Sequence, residues 1–180
     1  MHLADNVLQG FLDAFHAQKT LADKAMAQVS DADLRRPLDE NTNSVAVITK
    51  HVAGNLISRF TDFLTTDGEK PWRDRDAEFA DTFRDRAEAV AYWEGGWNCL
   101  FDTFAMLRPE HLEWQVFIRG ESFYVPAALA RSLAHTSYHV GQIVQTARVM
   151  CKERWEVITI PRGNSKQFNA EMGFGPPDAG

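Results

Sequence analysis

Pro126-Ala-Ala-Leu129-Ala-Arg131-Ser-Leu133-Ala-His135-Thr-Ser-Tyr-His139-Val140-Gly-Gln142-Ile143 decides how this chain folds. Leu129, Leu133, Val140, Ile143, Val144 and Ala147 recur at helical spacing, and Pro126 suits a first turn, so a long helix is expected over about 126 to 150. On that helix His135 and His139 stand one above the other on one face, roughly 6 Å apart along the axis. Gln142 follows on the same face, placed to hydrogen-bond the second imidazole.

Three more helices are read outward from this one. Residues 3 to 28 carry an apolar stripe of Leu8, Phe11, Leu12, Phe15 and Leu21. A connector with Pro37 runs from about 30 to 43. Ser44 is a good N-cap for a second long helix over about 45 to 65, with Val47, Ile48, Val52, Leu56 and Phe60 apolar. A charged loop leads from Asp67-Gly68 to about Asp81. The next helix, about 82 to 106, is rich in Trp and Phe and holds Gly95-Gly96, a pair that permits close helix approach. Between 113 and 125 the pattern turns to a short β-hairpin, and from Trp155 to Gly180 to an irregular tail with mobile last residues. The expected architecture is all-α: a four-helix bundle in one domain, 1–180, with the hairpin before the last long helix.

His51 lies on the second long helix, with Asn55 one turn along on the same face and Arg59 two turns along. If the histidine helices pack side by side, His51, His135 and His139 offer three neutral imidazoles to a divalent metal and leave a position open, as catalytic metals require. Arg131, four residues before His135, is placed to meet an anionic substrate at the mouth. No Glu follows His135, so the His-Glu-x-x-His protease motif is absent, and no helix carries Glu-x-x-His. His2, His16 and His111 read as surface or locally hydrogen-bonded residues.

The formal net charge is −6, with 19 basic residues scattered among 25 acidic ones, which lacks the footprint of a nucleic-acid binder. No apolar run approaches a membrane span, and the first residues lack the pattern of a signal peptide, so a cytoplasmic location is expected. Cys99 and Cys151 match no metal or redox spacing and read as reduced structural thiols.

Taken together, several segments are similar to a known family. Asn43-Ser44 leads into His51-Val-Ala-Gly54-Asn55; Thr66-Asp-Gly-Glu-Lys-Pro-Trp72-Arg-Asp-Arg-Asp76, the His135 to Ile143 stretch and Ile160-Pro-Arg-Gly-Asn-Ser165 with Phe168-Asn169 follow. With these the chain resembles the DinB-like superfamily of bacterial four-helix-bundle metalloproteins, in a branch mostly without assigned function. The resemblance implies His51, His135 and His139 as the metal triad, nickel or zinc as the ion, and a homodimer. It also implies an enzyme that activates a small-molecule thiol, such as bacillithiol or mycothiol, for attack on an electrophile. The rivals are a metal-dependent hydrolase and a non-catalytic metal- or stress-responsive binding module. No residue is assigned a catalytic role.

Overall fold

Four long helices build the protein in a computed structural model that describes residues 3–173: α1 (Leu3–Gln28), α3 (Val45–Phe60), α4 (Arg86–Met106) and α5 (Val125–Cys151). Two short ones, α2 (Asp31–Arg35) and α6 (Ser165–Glu171), flank them, and β1 (Gln115–Ile118) pairs antiparallel with β2 (Glu121–Tyr124). The all-α fold expected from the periodicity is the fold observed. His2 and the end of the tail lie outside the described residues.

Capping chemistry sets most of the boundaries. The Ser44 hydroxyl accepts from the Val47 amide, and Asp85 from Glu88, each occupying an otherwise orphaned donor of the first turn. The Asp85 cap starts α4 four residues later than the sequence suggested. At its other end α3 stops at Phe60 rather than near 65, because Asp62 adopts a positive φ of 49°. Ser30 caps Asp33 in the same way and nucleates α2 inside what read as connector. Arg119 and Gly120, with φ of 57° and 75°, form the tight turn between the two strands.

α3 is the central helix, buried along nearly its whole length between α4 and α5, while α1 packs on α5 and touches α4. Phe15 of α1 meets Phe60, Trp97 and Phe104 edge to face at 5.7–6.4 Å between ring centres. Trp93 and Trp97 are fully buried, and the Trp93 indole donates to Asp23 at 2.7 Å. Among the described residues no helix is long and apolar enough to cross a membrane.

The two adjacent glycines of α4 do different work. A Cβ at Gly96 would stand 2.7 Å from Ala53 Cα, so this glycine lets α3 and α4 approach backbone to backbone; at Gly95 nothing lies within 4 Å. Gly96→Ala is therefore expected to destabilise by about 2–3 kcal/mol through overpacking that backbone atoms cannot relieve. Gly95→Ala should stabilise by about 0.5–1 kcal/mol through helix propensity alone. Urea denaturation of both variants checks the opposite signs; equal effects would mean the helices are not in this register.

Candidate functional site

The three histidines singled out from the sequence converge. One ring nitrogen from each of His51, His135 and His139 lies within 4.8 Å of the others, and the ring centres are 4.6–5.2 Å apart. His51 reaches the cluster from α3, where it is buried; the pair comes from α5 and is partly buried.

Hydrogen bonds around the cluster decide which nitrogens face inward. The Nδ1 of His51 is 2.8 Å from Glu78 Oε2, and a carboxylate there can only accept, so that nitrogen is the donor and Nε2 is the one turned toward the cluster. The Nδ1 of His139 is 2.8 Å from Gln142 Oε1, with the same consequence for its ring. Gln142 is itself oriented by donating from Nε2 to the Tyr138 hydroxyl at 3.2 Å. The Nε2 atoms of His51 and His135 are 3.2 Å apart, while His135 Nδ1 is buried with no hydrogen-bond partner. Burial, reinforced by the neighbouring His139 and His51 rings, pushes the His135 pKa down to about 3. Burial also lowers that of His139, against the hydrogen bond it donates to Gln142. Both are neutral imidazoles near neutral pH, the form that ligates metals.

Glu78 was not legible from the sequence. It sits in a single 3-10 turn, Asp76–Phe79, within the loop that leads from α3 to α4. Arg73 grips both of its oxygens, Nε to Oε1 at 2.7 Å and a terminal nitrogen to Oε2 at 2.9 Å. Burial alone would raise the Glu78 pKa, but the hydrogen bonds from His51 and Arg73 outweigh it and hold the group ionised. The turn is pinned from the helix side by Lys50, whose ammonium donates to the carbonyls of Ala77 and Ala80 at 2.7 and 2.9 Å. Phe79 stacks on the His51 ring with centres 4.7 Å apart. Room for the carboxylate comes from Gly54: a Cβ there would lie 2.5 Å from Glu78 Oε1 and 2.9 Å from its Cδ.

Two of the three histidines, His51 and His135, line a cavity of about 120 Å³. His51, His135, Asn55, Ser132 and five arginines line it, with apolar walls from Phe60, Phe63, Val116 and Ile118. Of the residues proposed from sequence to surround the site, Asn55, Arg59 and Arg131 line this cavity, and Gln142 lies behind His139. Arg59 is partly engaged, donating to the Gly68 carbonyl and pairing with Glu69 at 3.2 Å. The hairpin forms one wall. Its turn is clamped to the preceding loop by Asp67, whose carboxylate accepts from the amides of Arg119 and Gly120 at 2.8 and 2.7 Å.

Other residues quoted from the sequence lie elsewhere. Trp72 is exposed and does not line the cavity, nor does any of the loop residues 162–166. His16 stacks on Phe101, and His111 Nδ1 accepts from the Arg108 amide at 3.1 Å. Both cysteines are free thiols, and Cys151 donates to the Gln28 carbonyl.

The donor set suits a small divalent ion. Tetrahedral coordination at about 2.05 Å spaces imidazole nitrogens by about 3.3 Å, close to the separation already present between His51 and His135. Glu78 and Gln142 hold two of the rings as outer partners of metal-bound histidines do. Among known proteins, a family model described as a protein of unknown function (DUF1572) matches residues 2–164. No curated protein and no solved structure matches.

Proposed function

The chain belongs to the DUF1572 family, and from its own residues we propose a metal-dependent enzyme that transfers a small thiol to an electrophile, with His51, His135 and His139 holding nickel or zinc. A divalent ion there supplies Lewis-acid charge that lowers the pKa of a bound thiol. The observation that carries the reading is the charge of the donor set. Three neutral imidazoles give the ion no anionic ligand, and no carboxylate lines the cavity. A thiol, far more acidic than water on its own, gives up its proton to solvent on meeting such an ion more readily than water does, so a thiolate suits the site as nucleophile. That favours thiol transfer over a hydrolase using the same histidines.

The chain's own residues do the positioning. Glu78 and Gln142 hold the tautomers of His51 and His139, and the Asn55 amide, without a hydrogen bond among the described residues, faces the substrate space. The resemblance to DinB-like proteins supports the same triad and a homodimer. Cobalt-loaded protein titrated with small thiols, followed by a chloronitrobenzene as electrophile, tests the proposal. A thiol-dependent change in the cobalt spectrum and a conjugated product are expected. A cobalt spectrum blind to thiols but titrating with a water pKa near ~7 would move the assignment to the hydrolase. A spectrum sensitive to neither would leave a binding module.

Gly54→Ala probes the outer partner without touching an imidazole. The added methyl must displace a carboxylate that His51 and Arg73 hold in place. Metal affinity is expected to fall about ten- to hundredfold. Competition against a chromophoric chelator measures it, and wild-type affinity would show that Glu78 does not orient His51.

A further inference from the structure

The lining of the cavity is strongly one-signed. Arg59, Arg73, Arg75, Arg119 and Arg131 all line it, and no Asp or Glu does. Behind them, Glu69 pairs with Arg59, Arg119 and Arg73 at 3.2, 3.0 and 3.8 Å, and Arg73 also holds Glu78. Two carboxylates therefore serve three of the guanidinium groups. Asp67 adds a third negative charge, but it accepts from backbone amides rather than from an arginine side chain.

Arg75 and Arg131 stand apart. Both are exposed, and among the described residues neither is ion-paired with a carboxylate. Asp74 and Asp76 flank Arg75 in sequence without pairing with its guanidinium. The Arg131 guanidinium lies over the Phe123 ring at 5.5 Å, an arrangement that holds the group in place and leaves its N–H donors free. Deeper in, Ser132 is buried and its hydroxyl has no hydrogen-bond partner. Like charges gathered around a small cavity, with unpaired donors further in, are stabilised by an anion that takes their hydrogen bonds.

The geometry points to a small dianion, carrying carboxylate or phosphate groups, as the substrate class of this cavity, with Arg75 and Arg131 as its binding residues and Ser132 as a donor nearer the histidines. The inference rests on reading the cavity as the substrate chamber of the metal enzyme. Its volume of about 120 Å³ matches a molecule of a few heavy atoms, since a cavity of about 150 Å³ takes a benzene.

Calorimetric titration of malonate and of inorganic phosphate into metal-free and metal-loaded protein tests it at constant ionic strength. Wild type, Arg75→Gln/Arg131→Gln and the control Arg162→Gln are compared, all three sites being exposed. Saturable binding to wild type and control, weakened tenfold or more in the double variant, is expected in both metal states. Which of the two anions binds more tightly separates a carboxylate from a phosphate substrate. No saturable binding, or binding the double variant retains, overturns the inference and leaves the metal reading untouched. Conversely, arginine-dependent anion binding in a protein that takes up no metal would sink the metal reading alone.

Discussion

Purified without added metal, the protein is expected to carry about one nickel or zinc ion per chain, and His135→Ala/His139→Ala to carry none. Elemental analysis of the two side by side reads the difference directly. The expected effect is large because the pair would supply two of the three donors, and a lone His51 would not hold a divalent ion against dilution. The fold should survive. Both histidines are only partly buried, and truncating them removes a buried His135 nitrogen that has no protein partner. Metal-stripped double variant should therefore melt at or above metal-stripped wild type. Added metal should raise the melting temperature of wild type alone, since only the state that binds the ion gains from it. Equal metal content in both proteins would dismiss the triad.

Glu78→Ala should be strongly destabilising. It leaves Arg73, whose side chain is 2% exposed, with only a distant contact to Glu69 at 3.8 Å. Breaking a buried pair from one side typically costs about 3–5 kcal/mol, because the surviving charge stays desolvated. Metal affinity should fall as well, about ten- to hundredfold, as His51 loses the acceptor that fixes its tautomer. Glu78→Gln separates the two effects. An amide oxygen still accepts from His51 or Arg73, so the variant should fold, yet it withdraws the negative charge that makes the imidazole a stronger ligand. Urea denaturation in chelator gives the first quantity and chelator competition the second. A Glu78→Ala protein as stable as wild type would mean that Arg73 finds another partner.

The bundle was readable because its signals are local. Leu8 to Leu21 and Leu129 to Ala147 mark helix faces within single segments, and Ser44 marks a start by its own chemistry. Boundaries moved where one side chain or dihedral intervened: the Asp85 cap, the left-handed Asp62, the Ser30 cap that made α2. In the site, His135, His139 and Gln142 are neighbours on one helix face, so their spacing announces them. His51, Asn55 and Arg59 share a face of α3 in the same way. Glu78 sends no such signal, since a lone glutamate in a charged loop looks like any other until the chain brings it back across α3. Arg73, Arg75 and Arg119 were hidden for the same reason. They read as solvated charge in two separate loops, and only the packing of the 61–85 segment against the hairpin puts them around one space.

The narrow gap between Gly54 and the Glu78 carboxylate also sets a rule for how sequences of this family can change. The two positions are 24 residues apart in the chain but share a volume that holds either a methyl group or a carboxylate, not both. A lineage that acquires alanine at 54 while glutamate remains at 78 passes through a weakened protein, so the two positions should drift together. Glycine should accompany glutamate, and larger residues at 54 should be found only where position 78 has given up its acid. Chains that have taken that second route are the ones in which the proposed metal site should be altered or lost.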